Sequence, residues 1–160
     1  MLNDNREKLI KSIEEAFKGV ILEDGIGLYE AQAIDSYQTE DIRKLYRQKD
    51  ETTNWQAISK ETLEECYDSH CFFDAKGMRF HLPAIMIYQL KYEDSEVDVN
   101  IVGALIDYWE ENKFVRLKER FDILSSEQRN TVRQFLIEMF EENLHLEEEI
   151  KKAFKAYWNK

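Results

Sequence analysis

The chain has one proline, Pro83, and only five glycines, two cysteines and three histidines among its 160 residues. Each scarcity excludes something. Two cysteines cannot build a disulfide framework, and Cys66 and Cys71 lie five apart, which in a helix exceeds the roughly 7 Å Cα separation that a bridge tolerates. Reduced thiols are expected. With three histidines, no Gly-x-Ser-x-Gly and no His-Glu-x-x-His, the sequence offers no hydrolase or metalloprotease frame. Gly25-Ile26-Gly27 lacks the third glycine of a dinucleotide fingerprint and the Gly-Lys-Ser/Thr of a phosphate cradle, so it reads as a loop. No cofactor is expected. No stretch reaches the roughly 20 apolar residues of a membrane span, and the first eight residues lack the basic and apolar regions of a secretory signal. These features predict a cytoplasmic protein.

What the chain does have is charge and aromatic bulk. Its net charge of -11 is spread evenly, with 17 acids against 11 bases in residues 1–80 and 16 against 11 in residues 81–160. A phosphate backbone or an anionic membrane selects clustered Lys and Arg, so neither nucleic acid nor membrane is an expected partner. A basic protein suits the charge better. Twenty aromatic residues and a hydrophobic fraction of 43% supply one core, and the length suits a single domain spanning 1–160.

Helical periodicity dominates the chain. Leu9, Ile10, Ile13, Ala16, Phe17 and Val20 recur at three- and four-residue intervals between Asp4 and Gly19. Leu28 to Tyr37 reads as a short helix, Thr39 caps one running to about Lys49, and Ser59 caps one from Lys60 to about Ser69 that carries Leu63, Cys66 and Tyr67 inward. Asp98 is placed to cap a helix bearing Ile101, Val102, Leu105, Ile106 and Trp109. Phe114 to Leu124 fits neither template and reads as irregular or a short strand. Ser125-Ser-Glu-Gln128 matches a capping box, and a last helix from about Leu146 buries Ile150, Ala153, Phe154 and Tyr157.

The centre of the chain, Cys71 to Leu90, holds the proline. Asp74-Ala-Lys-Gly77 has the chemistry of a type I turn closed by a left-handed glycine, which predicts a small β-hairpin near residues 71–81. In that register Phe72 faces Phe80 and Cys71 faces His81. Pro83 then suits the first turn of a helix that is apolar nearly all round, the most buried in the protein. The expected fold is a mainly α single-domain bundle of about six or seven helices with that hairpin set into it.

Few polar residues stand out as chemistry. Cys66 and His70 share a helix face, and the hairpin register would bring Cys71 and His81 to them, giving four ligands of the types and number that zinc takes. The spacing lacks a Cys-x-x-Cys knuckle, so the primary expectation is no metal. Glu142-Asn-Leu-His145 has the Glu-x-x-His spacing of a di-iron bundle without the second copy such a site requires. Asp50, Glu51, Trp55, Asp74, Arg79 and His81 form the candidate binding set. Trp55 and Arg79 are of the kinds favoured at interaction hot spots, and packing does not obviously require the acids.

The run Phe72-Phe73-Asp74-x-x-Gly77-x-Arg79-Phe80-x-Leu82-Pro83-Ala84 resembles the signature of a bacterial family of single-domain proteins of unknown function. Asp50-Glu51 with Trp55 and Ile58, and Leu124-Ser-x-Glu-Gln128 with Val132 and Phe135-Leu136, match the same pattern in order and spacing over about residues 20 to 140. The resemblance implies no activity. Its pattern often has an aromatic where this chain has His81 and calls for no cysteine at 66 or 71. The resulting expectation is a non-enzymatic acidic protein-binding module of immunity or antitoxin type, with a small enzyme or ligand-binding protein built on Asp50, Glu51, Asp74, Arg79 and His81 as the alternative, and a structural zinc protein as the second.

Overall fold

Side-chain caps decide where most of the helices begin. Asn3 accepts from the Arg6 amide at 2.9 Å, Ser59 from that of Thr62 at 3.1 Å, and Asp74 from that of Gly77 at 2.8 Å. Ser125 and Gln128 close the predicted capping box. The computed structural model describes residues 2–107 and 113–160, without the side chains of 113 and 114. Among them are nine α-helices: α1 (Asp4–Ala16), α2 (Leu28–Asp35), α3 (Glu40–Arg47), α4 (Lys60–Glu65), α5 (Ala75–Lys91), α6 (Val102–Ile106), α7 (Lys113–Phe121), α8 (Ser126–Glu138) and α9 (Glu147–Ala153). Short 3₁₀ turns lie at Trp55–Ala57, Ser69–Phe72 and Glu141–Leu146, and α9 continues into a π-helical turn, Phe154–Trp158.

The expected β-hairpin is absent, and no strand occurs among the described residues. Residues 69–72 form a 3₁₀ turn and α5 starts at Ala75, so Asp74 caps a helix where the sequence suggested a β-turn. Asp-x-x-Gly serves both devices, because an N-cap carboxylate also bonds the amide three residues on. Glycine conformation separates them. The hairpin needs Gly77 at positive φ, whereas Gly19 is the only glycine found there. Pro83 consequently falls deep inside α5, with no N–H to offer the Arg79 carbonyl. The expectation of extreme burial holds: from Met78 to Leu90 only Arg79 and Ile87 are not buried.

Other boundaries differ for local reasons. Phe114 to Leu124 is largely helical: Leu117, Phe121 and Leu124 are buried at helical spacing, and exposed Val115 is what blurs the pattern. Asp98 does not cap α6, which begins at Val102 behind buried Ile101. Tyr67 points outward, because α4 ends at Glu65. Trp109 lies outside the described residues.

Two compact units are formed, one by the N-terminal segment through Lys18 with Ile101–Lys160, the other by Gly19–Asn100. In the first, α1 packs on α8. Buried Arg6 donates Nε to Glu138 at 2.9 Å and pairs with Glu142, and Gln128 caps the end of α1 by donating to the Ala16 carbonyl at 3.1 Å. Fully buried Trp158 donates its indole N–H to the Leu105 carbonyl at 2.7 Å.

In the second unit α2 packs on α3, and the loop from Leu22 to Leu28 crosses the start of α5 at backbone contact. A Cβ on Gly77 would stand 2.3 Å from the Ile26 carbonyl oxygen, and one on Gly25 would stand 2.6 Å from the Gly77 nitrogen. Neither obstacle is a side chain that can rotate away. Gly77→Ala tests this crossing, because in a free helix the change stabilises by about 1 kcal/mol. Here the clash should win, lowering stability by about 1–3 kcal/mol in urea unfolding. A stabilised variant would show that the two backbones do not meet.

Candidate functional site

Four of the six candidate binding residues serve the loop crossing or the turn beside it. Asp50 reaches across to the start of α2, where Oδ1 accepts from the Tyr29 amide at 2.7 Å and Oδ2 from the Glu30 amide at 3.3 Å. It supplies the cap that Gly27, the residue at the N-cap position, lacks the side chain to make. A Cβ on Gly27 would lie 2.2 Å from the Asp50 carboxylate. Burial pushes the Asp50 carboxyl above its ordinary value, outweighing the pull of the two amides. Asp74 Oδ1 accepts from both Gly77 and Ile26, the latter at 3.0 Å, and so ties the loop to α5. Glu51 accepts from the amides of Thr53 and Asn54, which hold its carboxyl below the ordinary range.

Arg79 pairs with Glu23 at 2.9 Å, and Lys76 bridges Glu23 at 2.8 Å and Asp24 at 2.6 Å. Arg47 donates to the Glu23 carbonyl at 2.9 Å and to that of Gly25. Glu23 sits at φ 56°, a left-handed conformation that costs a non-glycine residue roughly 1–2 kcal/mol. Its three cationic partners account for its being held there.

Trp55 is buried at the start of its 3₁₀ turn. His81 is 1% exposed, stacked on Phe73 with ring centroids 4.5 Å apart. Its Nδ1 lies 2.7 Å from the Gly77 carbonyl oxygen, which can only accept, so Nδ1 carries the proton of a neutral ring. Burial drives its pKa down to about 4. The Cys71–His81 pairing of the zinc alternative disappears with the hairpin: Cys71 is exposed, beside His70 at 3.8 Å, while Cys66 is buried with its thiol pushed up to about 12 by burial. Among the described residues no group of three or more His, Cys, Asp or Glu side chains is placed to hold a metal ion. Glu142 and His145 lie on a 3₁₀ segment that is broken between them at Asn143, whose φ of -121° and ψ of 35° are not helical.

Sequence reading missed two features. Glu64 Oε1 accepts from Lys60 at 2.6 Å, Tyr88 at 2.7 Å and Ser95 at 2.9 Å, an arrangement that lowers its carboxyl to about 2 and pins the acidic 92–97 segment to α4. Only the Lys60/Glu64 i, i+4 spacing was visible beforehand. The second is Tyr37, 97% exposed at φ 54°. The Gln38 amide donates to the Ala33 carbonyl and the Tyr37 amide to that of Ile34, both at 3.0 Å. This is a Schellman ending to α2, with tyrosine in the place that glycine usually takes.

These features define a helical protein whose conspicuous charged residues cap and clamp its own backbone. Over residues 5–160 the chain matches the model of DUF6714, a family of unknown function, and it belongs to that family. The match extends well beyond the 20–140 span of the sequence resemblance. No curated protein and no solved structure shows significant similarity to it. No described helix is long and apolar enough to cross a membrane.

Two outcomes follow for stability. Asp50→Ala should cost about 0.5–2 kcal/mol in urea unfolding through loss of the α2 cap. His81 should make the protein acid-sensitive. Its folded pKa, about 4, lies below the unfolded value of about 6.5, so the unfolded chain binds more protons between them. Stability contributed above pH about 6.5 is therefore lost as pH falls towards 4, by up to about 3 kcal/mol. His81→Phe should flatten that part of the stability–pH curve; an unchanged slope would rule His81 out as the cause.

Proposed function

We propose that this protein is a non-enzymatic binding module for a basic protein partner, of immunity or antitoxin type. Tyr37 carries the reading. Held left-handed and 97% exposed, it is disfavoured by both backbone strain and apolar exposure. A tyrosine offers a large rigid contact at low conformational cost, which is why it recurs at binding hot spots. The tip around it is acidic. Residues 35–41 are all exposed and include Asp35, Glu40 and Asp41, and no Lys or Arg occurs between Lys18 and Arg43. A partner that receives the ring in a pocket with a basic rim satisfies both features and gains electrostatic steering.

The alternative site on Asp50, Glu51, Asp74, Arg79 and His81 draws no support from this geometry. Its carboxylates accept from backbone amides, its arginine pairs with Glu23, and its imidazole is buried and neutral.

Tyr37→Gly separates binding from folding. Relief of left-handed strain, less the greater freedom of glycine in the unfolded chain, should raise stability by about 0.5–1 kcal/mol. The same change should abolish stoichiometric capture of a basic partner from the native host, and protection of cells expressing it, while Tyr37→Phe keeps most of both. Undiminished capture by Tyr37→Gly, or a loss of stability, would refute the reading.

A further inference from the structure

The unit containing Ile101–Lys160 carries an apolar groove of about 700 Å³ between α8 and the C-terminal helical segment. Leu136, Ile137 and Phe140 form one wall, Ile150 and Phe154 the other. Ile137 is 65% exposed, a large aliphatic surface left in water on an otherwise well-packed helix. Lys151, Lys155 and Asn159 complete the lining, and no acidic side chain lines the groove although the chain has 33 of them. Lys151 is spent on Glu147. Lys155 makes no ion pair among the described residues and is exposed.

The backbone is unusual at this same point. Phe154–Trp158 is wound as a π-helix, with the Asn159 amide reaching back five residues to the Phe154 carbonyl at 2.9 Å. Such turns are rare and concentrate at functional sites, because the widened turn changes which side chains share a face. Here Phe154 and Lys155 belong both to this turn and to the lining of the groove.

Size and charge select the occupant. The first wall runs from Leu136 in the last turn of α8 to Phe140 just past its end, about 6 Å at helical rise, too short for the i, i+4, i+7 ridge of a docking helix. The opposite wall, from Ile150 to Asn159, extends about 10–13 Å, because its π turn is wider and rises less per residue than an α turn. The volume falls within the roughly 300–1,000 Å³ of small-molecule sites. We propose that the groove binds a medium-chain aliphatic carboxylate, its alkyl chain along Phe140, Ile150 and Phe154 and its carboxylate paired with Lys155 Nζ. This site is independent of the Tyr37 tip and of the partner that the tip would engage.

Calorimetric titration of the 160-residue protein with dodecanoate, below its micelle concentration, tests the assignment. Dodecyltrimethylammonium serves as the head-group control. A single saturable site is expected, weakened about tenfold or more by Lys155→Glu and by the cationic head, and removed by Ile137→Asp. Both variants change exposed side chains, and unchanged urea midpoints confirm that they fold. Lack of saturable binding, or binding that survives both substitutions, overturns the proposal. Sedimentation velocity and co-sedimentation with phosphatidylglycerol vesicles complete the test. A dimer dissolved by Ile137→Asp gives the groove to a second copy, and vesicle binding without dodecanoate binding gives it to a lipid surface; either result overturns the proposal.

Discussion

The second unit depends on one close approach, where the Leu22–Leu28 loop lies against the first turn of α5. Gly25 and Gly77 let the two backbones meet, and Gly27 leaves room for the Asp50 carboxylate. Once they meet, the exposed amides of both segments need acceptors. Asp74 supplies one for Gly77 and Ile26, Asp50 supplies two for the start of α2, and the cations of Arg47, Lys76 and Arg79 settle on the carbonyls and carboxylates of residues 23–25. These bonds are exposed or part-buried and each contributes about 0.5–1.5 kcal/mol net, so together they support the crossing.

That requirement explains why residues that look like a catalytic set have little chemistry to spare. An acid that accepts from backbone amides is fixed in place, and a buried imidazole whose proton rests on a carbonyl does not titrate near neutrality. The functional readings therefore move to side chains that the fold does not use. Three non-glycine residues among those described have left-handed φ, Glu23, Tyr37 and Asp107, and the first two separate clearly: Glu23 is held there by three cations, whereas Tyr37 is held by the Schellman backbone alone with its ring in water. The contrast distinguishes strain that serves the fold from strain that it does not need.

Much of the architecture was legible from local rules. The caps at Thr39, Ser59 and Ser125 and the buried stripe of α1 follow from spacing and residue type, which act within one or two turns of chain. The candidate residues were partly legible too, since local packing gives Asp50, Glu51, Asp74 and Arg79 no evident role. Their employment was not legible. Asp50 acts on Tyr29 and Asp74 on Ile26, partners 21 and 48 residues away, and no local pattern carries that information.

The central stretch marks the division. Sequence alone determined that the apolar run from Pro83 to Leu90 would be buried and that Asp74 and Gly77 would act together, because composition and short spacing are local properties. Only tertiary structure decided that they begin a helix and not a hairpin, because Asp-x-x-Gly serves both and the choice turns on what lies against Gly77. The Ile26 carbonyl lies there, at a distance only a glycine permits.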